Sequence, residues 1–538
     1  MVRPVRFVAV ICTAVALFPL LTCTYTSAPA TLNGHQVVLD RDGKLLSWAA
    51  PQAGAYGQVV TLAWQELERM RAAGKPYLRY SQFDPVTLHG AGGPDNPAGL
   101  FAMLTQSGLG YFAYSGDAQA LTLVREAIDQ ALDHGTTPAG WDWPSVPFAS
   151  SNAGDAEFRG ADDSKICGGC GAGDGTGVIE PDKVGELGFA YLRLYEATAD
   201  RRYLAAAVAA ADALAGHVRA GSKAISPWPF RVHAETGRVR DEYSADVVGP
   251  LSLLDELIRL GSGNVEGYRR ARQTAWSWLL AYPMRDNIWS GYFEDITSFP
   301  DPAHNLDQYI PLQTAQYLLA HPELDPDWRT QVPALIGWTK QVFGADTASG
   351  SGRQWGATAI SEQTVYMEKM GSHTARYAAA SALWSQAGGD SAAGEEAYRS
   401  FNWASYMCDS GGIVSVAAGS PREFWFSDGY GDYIDHFLAG MGALPEWAPP
   451  HESHLLQSSS VITEIDYGSG RVAYRTFDRG STEELRLTFK PILVSADGRA
   501  LPLRSDLAGA GYTVDALPGG DWLLRVRHQD APSVAITG

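Results

Sequence analysis

Apolar residues recur with a helical period along most of this chain, from about residue 55 to residue 441. The clearest segment starts at Asp182, and its apolar stripe includes Val184, Leu187, Tyr191 and Leu194. Short turns that contain Gly or Asp divide the segments into pairs, and these turns recur roughly every 60 to 80 residues. The pattern predicts a pair of helices that is repeated along the chain.

Twelve helices are predicted, and they form six hairpins if the last helix pairs with the first. If the hairpins close into a ring, the loops that enter the inner helices converge on one cleft. The predicted bounds are Ala55–Arg71, Ala98–Tyr114, Ala118–Asp133, Asp182–Glu196, Tyr203–Val218, Asp246–Leu260, Glu266–Ala281, Leu306–Leu319, Trp328–Phe343, Glu362–Gln386, Ala393–Tyr406 and Asp432–Gly442.

The period changes after Trp447, where β-forming residues alternate or cluster between Gly, Asp and Pro. The strands predicted there are Val461–Tyr467, Arg471–Thr476, Glu484–Phe489, Tyr512–Ala516 and Trp522–Val526. Because no long linker precedes them, we expect this small antiparallel domain to cover one face of the helices rather than to act alone. The predicted domains are residues 31–447, mainly α, and residues 448–538, a β-sandwich-like unit.

Residues 1–30 are predicted to be a signal peptide. Arg3 and Arg6 precede an apolar stretch over residues 7–21, which is shorter than a membrane-spanning helix requires. We therefore expect an exported protein. Leu20 to Cys23 resembles a bacterial lipobox, which would place a lipid on Cys23, whereas Ala28 to Ala30 offers an ordinary cleavage site. A lipid-anchored protein, on the outer surface or in the periplasm, and a freely secreted one both remain open.

The composition is that of a globular chain: 538 residues, 45% hydrophobic and 19% charged. A formal charge of −19 and the lack of a Lys or Arg run disfavour nucleic acid as a partner, and a membrane is expected only through a lipid on Cys23. Cys167 and Cys170 lie in a Gly-rich loop without a second pair at zinc spacing. We expect a local disulfide there.

Five loops carry aromatic residues beside carboxylates: residues 140–144, 226–230, 287–295, 353–356 and 423–432. Indole faces can stack on the apolar faces of pyranose rings, and carboxylates can accept hydroxyl hydrogen bonds. Loops of this kind at one cleft suit a sugar chain. The candidate substrate-binding residues are Trp143, Trp228, Arg231, Trp289, Tyr292, Glu294, Tyr309, Trp355, Arg376 and Trp425.

Six helical hairpins with large loops at the inner helices and a β-domain behind them resemble the six-hairpin glycosidase superfamily, over about residues 50–530. The resemblance implies an (α/α)6 toroid with a polysaccharide or oligosaccharide at its loop-bearing mouth. It selects no individual family, because the chain carries no family-defining catalytic motif.

Three acids stand at the starts of predicted inner helices: Asp182, Asp246 and Asp307. Cleavage of a glycosidic bond needs one carboxyl to protonate the leaving oxygen and a second to activate water or attack the sugar. We therefore predict that at least one of the three is essential for a glycoside hydrolase. The alternative is that Asp182 and Asp246 only cap their helices.

The predicted tenth helix is rich in polar residues, and Glu362, Tyr366, Lys369, His373 and Arg376 would share one face of it. A buried ladder of salt bridges is one interpretation. The other is a wall of the lumen, with His373 or Tyr366 as a proton carrier and Arg376 as a clamp for a uronate carboxylate.

Two further functions remain open. A polysaccharide lyase could use Tyr243 and His373 for proton transfer, with Arg376 against the carboxylate of a uronate. A surface protein that binds glycans without catalysis is the third hypothesis. No cofactor is expected, although Asp432 and His436, one helical turn apart, could contact calcium if a third ligand joined them.

Overall fold

The computed structural model describes residues 30–74, 83–84, 87–88, 94–162, 173–291, 301–344, 354–415, 417 and 428–538. Twelve long helices lie in this part of the chain, as the helical period predicts. Their bounds are α1 Ala55–Ala72, α2 Pro97–Ser115, α3 Ala118–His134, α4 Pro181–Thr198, α5 Arg201–His217, α6 Val248–Leu260, α7 Val265–Ala281, α8 Tyr309–Ala320, α9 Trp328–Phe343, α10 Gly371–Gly388, α11 Ser391–Ser405 and α12 Asp428–Ala443.

The hairpin turns repeat one local design. Gly116 ends α2 with a positive φ of 77°, and the carboxylate of Asp117 then accepts the N–H of Gln119 in the first turn of α3. Glycine adopts this left-handed conformation without the steric cost of a Cβ, and Asp is a favoured N-cap. The same design recurs before the next outer helices, at Ala199 and Asp200, at Gly261 and Asn264, and at Gly389 and Asp390.

The even-numbered helices form a closed inner ring. Each contacts the next in the order α2, α4, α6, α8, α10, α12, and α12 returns to α2. The odd-numbered helices pack outside them, with α1 against α12. The predicted (α/α)6 toroid is therefore confirmed. Two glycines bring neighbouring inner helices close: a Cβ on Gly185 would lie 2.3 Å from the Pro250 nitrogen, and one on Gly249 would lie 2.5 Å from Cγ of Glu186.

Short strands lie in the N-terminal segment and in the loops that precede inner helices. They are β1 Thr31–Leu32, β2 His35–Gln36, β3 Val38–Leu39, β4 Leu45–Leu46, β5 Pro94–Asp95, β6 Ser151–Asn152, β7 Val178–Ile179, β8 Arg231–His233, β9 Val239–Asp241, β10 Ser361–Gln363 and β11 Tyr366–Lys369. Single turns of helix occur at Gln52–Gly54, Pro283–Asp286, Pro322–Leu324 and Pro445–Trp447.

The prediction that a helix begins at Glu362 is wrong, because residues 361–369 form the antiparallel hairpin of β10 and β11. Its backbone also pairs with the segment before α8: the Thr364 N–H donates to the Leu306 carbonyl at 2.8 Å. These bonds between distant parts of the chain outweigh the local helical spacing. Tyr366 and Lys369 therefore do not share a helical face with His373 and Arg376, which lie in the first turns of α10.

The C-terminal strands form two antiparallel sheets. One has the order β12, β15, β19, β18 and the other the order β13, β14, β20, β16, β17. The bounds are β12 His454–Ser458, β13 Ile462–Gly468, β14 Arg471–Thr476, β15 Ser481–Leu487, β16 Leu493–Ala496, β17 Arg499–Ala500, β18 Gly511–Ala516, β19 Trp522–His528 and β20 Ser533–Thr537. All five predicted strands are present, and four more accompany them.

The β-domain packs on the carboxyl ends of inner helices. The hydroxyl of Tyr467 donates to the Ala113 carbonyl at 2.6 Å, and His454 contacts the Tyr114 carbonyl at 2.9 Å. Further contacts reach α4 and α12. The other end of the ring, where the inner helices begin, is the end that holds the predicted acids. In the part of the chain that the structure describes, no helix has both the length and the apolar character needed to cross a membrane.

Candidate active site

The three acids predicted from the sequence lie at the amino ends of three adjacent inner helices. Asp182 is the second residue of α4, whereas Asp246 and Asp307 precede α6 and α8 by two residues. Each is buried, with 1–3% of its surface exposed. The charges of Asp182 and Asp307 both act on Asp246, so the fold brings the three into one electrostatic group.

Burial is the largest influence on these acids, because it penalises the charged form. It raises the pKa of Asp307 to about 7, against an ordinary value of 3.8, although the Ile310 N–H, 3.0 Å from its carboxylate, acts in the opposite direction. Burial likewise raises the pKa of Asp182 to about 7, with Lys183 opposing. The pKa of Asp246 is also raised, first by burial and then by the charges of Glu186 and Asp182.

The same acids have unused hydrogen-bonding capacity. Within the described residues, neither carboxyl oxygen of Asp246 has a hydrogen-bond partner, and Oδ2 of Asp182 and of Asp307 also lacks one. A neutral carboxyl has a proton to donate, and a buried donor without a partner is costly in a folded protein. Both properties suit an acid that is completed by a substrate oxygen.

Glu186 links two sides of the ring. It lies one helical turn after Asp182 on α4 and accepts from Lys183 Nζ at 3.0 Å and from the Tyr309 hydroxyl at 2.8 Å. Gln313 in turn donates to the Tyr309 oxygen at 2.9 Å. Sequence reasoning missed Glu186 as a site residue. The signal was its spacing of four from Asp182, which places both acids on one face of α4.

On the opposite side of the ring, Arg376 of α10 contacts several groups at once. Its guanidinium lies 2.5 Å from the Asp432 carboxylate, 3.2 Å from Oε1 of Gln308 and 4.2 Å from the centre of the Tyr309 ring. His436 Nε2 also donates to Asp432 at 2.9 Å. Burial would raise the pKa of Asp432, but Arg376 and His436 together lower it well below the usual range.

Two histidines on this side differ in their bonding. Burial and the charge of Arg376 lower the pKa of His373 to about 3, so its imidazole is neutral near pH 7. Its Nδ1 faces an Arg376 nitrogen at 3.2 Å and must accept, which leaves the hydrogen on Nε2. His436 has the converse arrangement when neutral, because Nε2 donates to Asp432 and Nδ1 keeps a lone pair. Neither His373 Nε2 nor His436 Nδ1 has a hydrogen-bond partner among the described residues.

A cavity of about 330 Å³ lies in the lumen. Glu186, Arg376, Asp432 and His436 line it, whereas Asp182, Asp246, Asp307 and His373 are not among its lining residues. All six inner helices contribute to its wall. The side chain of Asp435 is 41% exposed. Its pKa is nevertheless raised, because the surrounding protein desolvates the carboxylate. The lining residues are Ala102, Met103, Gln106, Glu186, Phe189, Val248, Gly249, Ser252, Tyr309, Gln313, Gln316, Tyr317, Ala320, His321, Arg376, Asp432, Asp435 and His436.

Two predicted sugar-stacking tryptophans are core residues instead. Trp143 is 1% exposed and stacks on the His217 ring at 4.1 Å. Trp228 is 2% exposed, and its Nε1 donates to the Leu214 carbonyl at 2.8 Å. We correct the expectation that these rings face a cleft: the hydrophobic effect packs them against outer helix α5.

Trp289 requires the same correction. It is fully buried, its Nε1 donates to Asn287 at 3.2 Å, and its ring lies 6.5 Å from that of Trp338 on α9. Trp355 is half-buried against the core, with its carbonyl bound by the Leu45 N–H at 2.9 Å, and it does not line the lumen cavity.

Two polar candidates are committed to structural bonds. Arg231 is 2% exposed and ion-paired with Asp174 at 2.8 Å and with Glu180 at 3.1 Å, so it holds the loop that enters α4. The Tyr243 hydroxyl donates to the Ile288 carbonyl at 2.8 Å, and burial raises its pKa further above the ordinary value. The hydrogen bond and the raised pKa both disfavour Tyr243 as a base, and the charge of Asp307 contributes to that raised pKa.

Several predicted residues cannot be placed. Tyr292, Glu294 and Trp425 lie outside the described residues, and so do Cys167 and Cys170. Cys408 is a buried free thiol whose pKa is raised by burial. No group of three or more His, Cys, Asp or Glu side chains arranged to hold a metal occurs within the described ranges.

No protein-family model matches the chain, and no curated protein matches it. Among solved structures, a sugar epimerase from a ruminal bacterium is similar at 10% identity over 71% of this chain and 99% of that one, with a TM-score of 0.48. A D-mannose isomerase is similar at 9% identity over 71% of this chain and 98% of that one, with a TM-score of 0.48. An unsaturated glucuronyl hydrolase specific for heparin is similar at 12% identity over 72% of this chain and 97% of that one, with a TM-score of 0.45. These activities are those of the matched proteins.

Proposed function

We propose that the protein is a carbohydrate-active enzyme, and specifically a glycoside hydrolase that acts on a polysaccharide or oligosaccharide. One observation carries the proposal: three buried carboxyls with raised pKa values stand together at the amino ends of α4, α6 and α8. A carboxyl that stays protonated near neutral pH is what a general acid for glycosidic cleavage requires.

In this mechanism, Asp182, Asp246 or Asp307 donates its proton to the glycosidic oxygen as the bond from that oxygen to the anomeric carbon breaks. A water attacks the anomeric carbon and gives its proton to a second carboxylate. Glu186 is the best placed carboxylate for that role, because it lines the cavity and shares a face of α4 with Asp182. The hydrogen bonds from Lys183 and Tyr309 fix its orientation.

The lyase alternative loses support from these contacts. Of its two candidate bases, Tyr243 already donates its hydrogen to a backbone carbonyl, and Nδ1 of His373 already accepts from Arg376. Its clamp, Arg376, already contacts Asp432 at 2.5 Å. A substrate carboxylate would have to compete with Asp432 for that guanidinium. A uronate clamp is therefore the weaker hypothesis.

A second candidate function rests on His436. Its Nε2 is held by Asp432, and its Nδ1 lone pair lies at the cavity wall. A histidine oriented by an aspartate is a common general base. Such a base could move a proton on a sugar without breaking a glycosidic bond, which would make the protein a sugar isomerase or epimerase.

One screen separates these functions. Neutral and uronate-containing polysaccharides are incubated with the protein, and the products are read by reducing ends, ultraviolet absorbance and sugar composition. We expect new reducing ends without the absorbance of an unsaturated uronate. That absorbance would select the lyase, a changed sugar with no new ends would select the isomerase, and saturable binding without any product would leave a glycan-binding protein.

The residue-level test uses Asp182→Asn, Asp246→Asn and Asp307→Asn, which keep the side-chain shape and remove the proton. At least one variant should lose activity by about 100-fold to 10,000-fold, the usual contribution of acid catalysis. Asp325→Asn is the matched control, since Asp325 is also buried but lies after the carboxyl end of α8. Full activity in all three lumen variants would reject the carboxyl mechanism.

A further inference from the structure

The lumen cavity runs along the whole of α8. Its lining begins at Tyr309 in the first turn and reaches Ala320 and His321 at the carboxyl end, which is roughly 16 Å away at the rise of an α-helix. The predicted acids and aromatic loops belong to the amino ends of the inner helices. The cavity therefore extends towards the opposite end of the ring.

Two short inner helices stand beside this end of the cavity. The inner helices α6 and α8 are neighbours and have 13 and 12 residues, whereas the other four have 16 to 19. Ala320 is exposed, and the His321 side chain is 40% exposed. The lining of the cavity thus meets solvent at the carboxyl end of α8.

The β-domain covers a different part of the same end. It packs on α2, α4 and α12, and Arg259 at the carboxyl end of α6 is ion-paired with Asp478 of the β-domain at 2.7 Å. Tyr467 and His454 make its hydrogen bonds at residues 113 and 114, near the carboxyl end of α2. The opening beside α8 lies across the ring from the contacts at α2, whereas the ion pair at α6 lies next to α8.

Neutral hydrogen-bonding groups and aromatic rings dominate the middle of the cavity. Three glutamines line it, together with Ser252, Phe189 and Tyr317. Gln313 Oε1 and His436 Nδ1, both buried, have no hydrogen-bond partner in the described part of the chain, and His436 is only 6% exposed. Amides, hydroxyls and ring faces are the groups that bind sugars. The three glutamines are Gln106, Gln313 and Gln316.

The charges of the lining disfavour an anion. Glu186, Asp432 and Asp435 contribute carboxyl groups, whereas Arg376 is already in ionic contact with Asp432. A ligand carboxylate would meet more negative than positive groups and would have to displace an existing ion pair. The lining therefore favours a ligand that is neutral and rich in hydroxyls.

We propose that this cavity binds one neutral sugar unit, which passes between the lumen and solvent through the opening at the carboxyl end of α8. A volume of about 330 Å³ lies at the low end of the range for ligand pockets, so it suits a single ring rather than a chain segment. The neutral, hydroxyl-rich chemistry follows from the lining, and the identification of the ligand as a sugar rests on the proposed function.

The test is calorimetric titration of the full chain with glucose, galactose and mannose, and with glucuronate as the charged comparison. At least one neutral sugar should bind and should bind more tightly than glucuronate. Ala320→Trp places a large ring at the opening and should weaken that binding by about tenfold or more. Ala205→Trp is the matched control, because Ala205 is an exposed helical alanine on α5, outside the ring.

A second variant, Gln316→Leu, removes a lining amide without filling the opening and should also weaken binding, with an unchanged melting temperature as the check on folding. The proposal is overturned if no neutral sugar binds, if glucuronate binds more tightly, or if Ala320→Trp and Gln316→Leu both bind as the wild type does. Hydrolysis without sugar binding would remove this inference alone, whereas sugar binding without hydrolysis would remove the proposed hydrolase alone.

Discussion

Two sides of the inner ring hold buried carboxyls in opposite states. On α4, α6 and α8, burial raises the pKa values of Asp182, Asp246 and Asp307. On α12, Asp432 is also buried, but its pKa is lowered. The difference is a direct cationic contact, since Arg376 lies 2.5 Å from Asp432. Burial alone therefore does not decide the charge of a lumen acid.

The side formed by α4, α6 and α8 also contains a cation, although that cation does not pair with any of the three acids. Lys183 is buried among the three acids, but its ammonium group lies 3.0 Å from Glu186. The lysine lowers the pKa of Asp182 only in part, and burial prevails. One half of the ring is thus equipped to donate a proton, and the other half holds a fixed ion pair.

The largest effect is expected from breaking the ion pair. Arg376→Met leaves Asp432 buried without its main counter-charge, and this should lower the free energy of unfolding by about 3–5 kcal/mol. Urea unfolding measures the loss. The double variant Arg376→Met with Asp432→Asn removes both charges and should recover most of it. Equal losses in the single and double variants would show that the ion pair does not control Asp432.

The pH dependence of stability should have opposite signs on the two sides. The pKa of Asp307 is about 7 in the folded chain against an ordinary 3.8, so its stabilising contribution is complete below pH 3.8 and is lost as pH rises to about 7. The loss is about 4 kcal/mol at 1.36 kcal/mol per pKa unit. Asp432 has a lowered pKa, so its contribution is present above the ordinary value and is lost as pH falls.

Urea unfolding at several pH values compares the wild type with Asp307→Asn. Between pH 4 and pH 7, the variant should become more stable relative to the wild type, because Asn has no proton to lose. A constant difference between Asp307→Asn and the wild type across this range would contradict the raised pKa.

A smaller effect is expected at the hydrogen bond that joins α8 to α4 on the side of the three acids. Tyr309→Phe removes the 2.8 Å hydrogen bond to Glu186 and should lower the free energy of unfolding by about 1.5–3 kcal/mol. Tyr377→Phe removes a 2.6 Å bond to Glu396, which does not line the lumen, and is the matched control. Only Tyr309→Phe should also lower kcat/KM. Equal activity in the two variants would leave Tyr309 a purely structural residue.

The fold could be predicted well from the sequence because its determinants are local. The helical period and the Gly and Asp turns specify twelve helices, and capping Asp or Asn residues mark where the outer helices α3, α5, α7 and α11 begin. The hairpin at residues 361–369 could not be predicted in the same way. Its pairing with the segment before α8 depends on contacts between parts of the chain about 58 residues apart.

The site was predictable only in part. Asp182, Asp246 and Asp307 could be selected because an acid at the start of an inner helix must lie at one end of the ring. The orientation of the aromatic side chains in the loops could not be predicted, because the sequence shows which residues are aromatic but not whether a ring packs into the core or faces the lumen. Trp143, Trp228 and Trp289 therefore looked like ligands and are core. The helical spacing pairs Asp432 with His436 and Glu186 with Asp182 already in the sequence, but the contacts of Asp432 with Arg376 and of Glu186 with Tyr309 depend on how the inner helices pack.

The central claim is that the lumen holds protonated carboxyls on one side and an ionised one on the other. The direct measurement is carbon-13 NMR titration of protein labelled at the aspartate side-chain carboxyls, with signals assigned from the Asn variants. We predict that Asp182 and Asp307 titrate near pH 7 and that the pKa of Asp246 also lies above the ordinary value, while Asp432 stays ionised down to the lowest pH at which the protein is folded. Titration of all four near pH 4 would contradict the account.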